Sequence, residues 1–193
     1  MITETWEEIS PVDNHVLVYN IDFKHLLDID TYDQFKVEIS SLVVEDESAI
    51  LYAKLGHAGE FSETDKYYSF YSTYTDFAKG GSPKSYNHLD KTYINISGTH
   101  ITKILPPIDG LTVIISAPPT VMGATVRTDG IIWNSDHSPT AVSGYAIVRH
   151  LINIDSLRLY AEGECRFTAI TRLWGRVKTW DTLEKVVITE IGN

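Results

Sequence analysis

Seven histidines, 26 carboxylates and a single cysteine are the side chains of this 193-residue chain that could do acid–base, nucleophilic or metal chemistry. Their spacing argues against each in turn. His15, His25, His57, His88, His100, His137 and His150 are scattered, with no His-Glu-x-x-His and no Cys/His pair at zinc spacing. Asp28, Asp30 and Asp33 form a close oxygen cluster of the kind calcium takes, but the glycine and terminal glutamate of an EF-hand loop are missing. Turn chemistry at a strand entrance explains them better, because aspartate bonds its own backbone in turns. Ser135-Asp136-His137-Ser138 holds the letters of a hydrolase without a Gly-x-Ser-x-Gly elbow, and triad members converge in space rather than sit in a row. Glycosidic cleavage needs two opposed carboxylates, and among 26 acidic residues any pair is unremarkable. No glycine loop of phosphate-binding type follows a strand, and the sequon Asn95-Ile96-Ser97 carries little weight without a secretion signal. The expectation is a non-enzyme with no catalytic residue, no metal and no cofactor.

The remaining local feature is aromatic. Lys66 to Thr75 contains Tyr67, Tyr68, Phe70, Tyr71 and Tyr74 in a β-prone run. Strand alternation puts Tyr68 and Phe70 on one face and Tyr67 and Tyr71 on the other. Tyr67, Tyr71 and Tyr74 are the candidate contacts with a sugar ring or a neighbouring subunit.

The elements that must position these residues read as strands. Phe35, Val37 and Ile39 alternate with Lys36, Glu38 and Ser40, a period of two that makes one face apolar. After the polar break Glu45-Asp46-Glu47-Ser48, Ile50 to Leu55 reads as the return strand. Further strands are expected at His15–Phe23, Lys66–Thr75, Thr92–Ser97, Leu111–Ala117, Tyr145–Leu151, Leu157–Tyr160, Cys165–Ile170 and Thr171–Lys178, with a last short strand or tail segment at Val186–Thr189. Asp129-Gly130 predicts a hairpin between Ala124–Arg127 and Ile131–Asn134. Phe77 to Asp90, with Gly80-Gly81-Ser82-Pro83, is the strongest loop signal, and Glu162-Gly163-Glu164 reads as a turn. No long stretch has a 3.6-residue period. About ten short strands separated by Gly, Pro and Asp predict an all-β, antiparallel sandwich or barrel in one domain. The domain is placed at residues 15–178, with an N-terminal arm at 1–14 and a C-terminal tail at 179–193.

Composition narrows the partners. The formal net charge of −10 argues against nucleic acid, whose phosphates need clustered Lys and Arg. No apolar run approaches the roughly 18–20 residues of a membrane-spanning helix, so no membrane insertion is expected. The N-terminus has neither the basic start nor the apolar core of a leader. A lone Cys165, alternating with Phe167, fits a reducing cytoplasm and a small core residue rather than a nucleophile.

Three passages together resemble a jelly-roll domain of bacteriophage virion proteins found in tail fibres, head spikes and related attachment components. They are Phe23 to Leu42 with its Leu-x-Asp-Ile-Asp-x-Tyr-Asp-x-Phe, then Ala49 to Tyr71, then Ile154 to Lys178 ending in Leu173-Trp174-Gly175-Arg176. The glycine-rich turn before the last strand is reduced to Gly163, and the loop after Leu55 lacks an Asp-Gly-Gly. The resemblance implies a jelly-roll β-sandwich and a virion structural protein of the tail, a fibre or a spike. Such a protein is made in the host cytoplasm and assembles with other virion proteins, as a homo-oligomer with a trimer favoured. It contributes to host attachment and carries no catalytic residue. Two rivals stand beside it: a carbohydrate-binding module reading a host surface glycan, and a surface-polysaccharide depolymerase.

Overall fold

The computed structural model describes residues 4–64, 68–77, 80–103, 110–116, 123–149 and 153–178, the side chains of 12–15 excepted. Among these there is no α-helix, and every strand pairing is antiparallel. The strands are β1 (Trp6–Val18), β2 (Asn20–Phe23), β3 (Tyr32–Val44), β4 (Ser48–Ala49), β5 (Leu51–Gly56), β6 (Tyr68–Asp76) and β7 (Lys84–Lys91). They continue as β8 (Ile94–Asn95), β9 (Ile101–Thr102), β10 (Leu111–Ser116), β11 (Thr125–Trp133), β12 (Pro139–Val148), β13 (Ser156–Ala161) and β14 (Phe167–Val177). An eight-stranded sheet has the order β1-β14-β3-β10-β11-β12-β6-β7, and a four-stranded sheet the order β2-β13-β5-β8. β4 and β9 form a separate pair.

Alternation explains why the strands sit as they do. Phe35, Val37 and Ile39 of β3 are fully buried, and Lys36 and Glu38 between them are not. Val113 and Ile115 of β10 and Leu173 of β14 lie on the same apolar face. The small sheet turns Ile21, Phe23, Leu51, Leu55, Leu157 and Leu159 into the same hydrophobic cluster. One core is therefore shared by both sheets, and each sheet is left with an outer face. The all-β, antiparallel expectation is met.

Several boundaries differ from the sequence reading. Asp129-Gly130 is no hairpin turn: β11 runs straight through it. Gly130 is needed there for space, since a Cβ would lie 2.6 Å from the Gly110 carbonyl oxygen. The chain reverses instead at Asn134–Ser138, where the Asn134 side-chain oxygen accepts the amides of Asp136 and Ser138. The loop expected over Phe77–Asp90 contains β7, and the strand expected at Thr92–Ser97 shrinks to β8. The first strand splits into β1 and β2, and β1 takes in residues 6–14 by pairing with β14. Val186–Thr189 and the tail 179–193 lie outside the described residues.

The shared core makes a direct prediction. Phe35 is completely buried where three neighbouring strands meet, so Phe35→Ala should cost about 3–5 kcal/mol. Urea unfolding followed by tryptophan fluorescence measures this, and a loss below about 1 kcal/mol would mean the site is not core.

Candidate functional site

The three expected contact tyrosines do not form one patch. Tyr67 lies outside the described residues. Tyr71 points outward, 48% exposed, and donates to Ser85 Oγ at 3.0 Å. Tyr74, three residues on, faces the other side of β6, where its hydroxyl meets that of Tyr86 at 3.3 Å. Of the two that are described, Tyr74 joins the aromatic groove described next.

That groove is built on the outer face of the four-stranded sheet. β2, β13, β5 and β8 align Asn20, Tyr160, Tyr52 and Asn95 in one row, and Asp22, Arg158 and Lys54 in another. Tyr93, just before β8, brings its ring centroid to 4.2 Å from that of Tyr52, and Tyr160 lies 5.6 Å from Tyr52 on another side. These rings, with Tyr19, Lys54, Arg158, Glu63, Glu162 and Glu164, line a cavity of about 740 Å³. A second hollow of about 320 Å³ shares Tyr52 and Tyr93 and continues over Phe70, Tyr74, Tyr86, His88 and His100. Phe70 stacks on His88 at 4.5 Å, and Tyr74 on Tyr86 at 5.8 Å. The two hollows share Tyr52 and Tyr93, and together they make an aromatic trough from β13 to β7, in the size range of ligand pockets.

Charge in the trough is ordered rather than free. Lys54 is 4% exposed; its Nζ bonds the Glu63 carboxylate and lies 5.4 Å from the Tyr160 ring centroid. Arg158 grips Asp22 through Nε and Nη2 at 2.8 and 2.9 Å, and its guanidinium sits 4.4 Å over the Phe61 ring. Burial pushes the Tyr52 and Tyr160 phenols well above their usual value, with Glu162 adding to the effect at Tyr52 and Glu63 at Tyr160. Both remain protonated hydrogen-bond donors at neutral pH. Burial, then Lys91, lowers the His88 pKa, so that ring faces the trough as a neutral imidazole.

The other reactive letters are held in structural contacts. Asp28 Oδ1 accepts the amides of Asp30 and Thr31 at 3.0 and 3.2 Å, while Asp33 pairs with Arg176, so the three aspartates do not converge. The Thr31 side-chain hydrogen bond is the main cause of the lowered Asp28 pKa. Among the described residues no group of three His, Cys, Asp or Glu is placed to hold a metal ion. His137 closes the 134–138 turn at φ +60° and meets Thr102 Oγ1 at 3.2 Å, while the Ser138 hydroxyl donates to Asp76 Oδ1 at 2.7 Å. His25 pairs with Asp155 at 3.0 Å, and His57 donates to the Asn153 carbonyl at 2.8 Å. Cys165 is buried, and that burial raises its pKa.

Sequence reasoning missed Tyr52, Tyr93, Tyr160 and Lys54. Tyr52 and Lys54 alternate with Leu51, Ala53 and Leu55, so the period did mark them as facing away from the core. What it could not mark is that β13 and β8 bring tyrosines beside them from distant parts of the chain. No protein-family model and no curated protein matches this chain.

A phenol whose folded pKa lies above its unfolded value, near 10, adds stability that is full below about pH 10 and is lost as pH rises toward the folded value. The domain should therefore weaken steadily between about pH 10 and 11, and Tyr52→Phe should flatten that decline. Urea unfolding across that range tests it; an unchanged slope in Tyr52→Phe would show that Tyr52 ionises normally.

Proposed function

We propose that this chain is a non-enzymatic jelly-roll module that binds a glycan in the aromatic trough. The trough carries the reading. Tyrosine rings on a sheet face offer flat apolar surfaces to the faces of pyranose rings, and their hydroxyls, with Asn20 and Asn95 nearby, offer hydrogen bonds to sugar hydroxyls. Strand order supports the jelly roll. If β1, β2, β3, β5, β8, β10, β13 and β14 are numbered one to eight, half of the large sheet reads 1-8-3-6 and the small sheet 2-7-4-5, the jelly-roll order. The hairpins β6–β7 and β11–β12 are then insertions that pair with each other and widen the first sheet.

The setting we propose is a bacteriophage virion, as a tail, fibre or spike component that contributes to host attachment and binds a host surface glycan. The three resembling passages support it. Assembly with itself or with other virion proteins has its own observation: Tyr71, Tyr145 and Ile147 are exposed side by side on the outer face of the large sheet, a contiguous apolar patch of the kind that meets a partner. A depolymerase would need two carboxylates opposed across the trough; Glu63, which lines it, is committed to Lys54.

Screening of surface polysaccharides by calorimetry should find a ligand whose binding weakens about tenfold, or about 1.4 kcal/mol, in Tyr86→Ala and in Tyr93→Ala. Tyr71→Ala, on the opposite face, should bind as the parent does. Equal loss in all three, or none, would rule out the trough. Antibody labelling of purified particles by electron microscopy should mark a fixed position, at fibre or spike tips for an attachment part. Protein found only free in the lysate would refute the virion setting.

A further inference from the structure

Lys54 and Glu63 are an unequal pair. The Lys54 side chain is 5% exposed and the Glu63 side chain 69%. A buried ammonium needs a counter-charge, because leaving it unpaired is strongly unfavourable. That partner is commonly fixed within the fold; here it comes from the connection between β5 and β6, outside any strand. A second cation aims at the same place. Asp22 takes Nε and Nη2 of Arg158, and Nη1 lies 3.8 Å from the Glu63 carboxylate. Two cations thus converge on one carboxylate that is largely in solvent, inside the trough and beside the Tyr160 ring.

We infer that this is a carboxylate subsite, held by Glu63 in the free protein and taken over by the acid group of a carboxylated sugar. The inference rests on the glycan reading and specifies it. A pyranose lying against the half-buried Tyr160 ring would bring a ring carboxylate to Lys54 and Arg158. Exchanging one carboxylate for another leaves Lys54 paired throughout, so the exchange avoids the cost of a bare buried charge and needs only the release of Glu63. Glu162 and Glu164 on the trough wall limit the charge the site tolerates. They favour a sugar with isolated carboxylates over a densely sulfated polymer.

The test is calorimetry with a glucuronic-acid oligosaccharide and its carboxyl-reduced neutral counterpart. The wild-type chain should prefer the acid form. Glu63→Gln should bind that form about tenfold more tightly while leaving the neutral one within about twofold. Lys54→Met, which keeps the stem and removes the charge, should abolish the preference. If Lys54→Met fails to fold, the Glu63→Gln comparison stands by itself. Equal binding of the two sugars to the wild type, with a ratio unmoved by Glu63→Gln, overturns the subsite and leaves the glycan reading intact. If neither sugar binds any folded variant, and no other glycan does, both fall.

Discussion

An alternating strand can bury one face cheaply, and its other face stays wet unless something is laid over it. Strand β5 is the place where something is. Leu51, Ala53 and Leu55 close the core, while Tyr52 and Lys54, pointing the opposite way, are also buried. The cover over them is made of Tyr160 from β13, Tyr93 ahead of β8, and Glu63 from the connection that follows β5. A buried lysine under such a cover fixes the cover's chemistry: a carboxylate must reach it, and rings must line the way. The trough follows from that single constraint.

The insertions complete the arrangement. β6 and β7 extend the large sheet past the edge of the small one, so the inward residues at that end have no opposing sheet strand of full length above them. Phe70 still closes the core there, and Tyr74, Tyr86 and His88 are left as a half-open aromatic row beside it and Tyr93. The same extension leaves Tyr71 and Tyr145, cross-strand partners on its outer side, exposed. The widened sheet thus supplies one end of the trough on one side and an apolar patch on the other.

Much of the scaffold was legible in the sequence. The alternation of Phe35, Val37 and Ile39 and Cys165 as a core residue were read as they stand, and the return strand was read to within one residue, but Ser48, taken as part of the polar break, opens β4. The turn at Glu162–Glu164 was also read correctly, with Gly163 at φ +67°. Asp129-Gly130 misled because turn chemistry is a local signal, and here Gly130 serves a close backbone approach that only tertiary pairing creates. The candidate surface was half legible. The aromatic run was recognised, but Tyr71 and Tyr74, grouped together from the sequence, lie on opposite faces of β6, and the deepest part of the trough comes from tyrosines separated by many residues in the chain. Register between β13, β5 and β8 joins them, and no single stretch records it.

The most direct measurement is an amide and aromatic chemical-shift map of the isotope-labelled protein titrated with the bound polysaccharide. The account predicts perturbations at Tyr52, Tyr86, Tyr93 and Tyr160, with the Tyr71 and Tyr145 face silent. Perturbations confined to the Tyr71 and Tyr145 face would contradict it, and would make that outer face the binding surface instead.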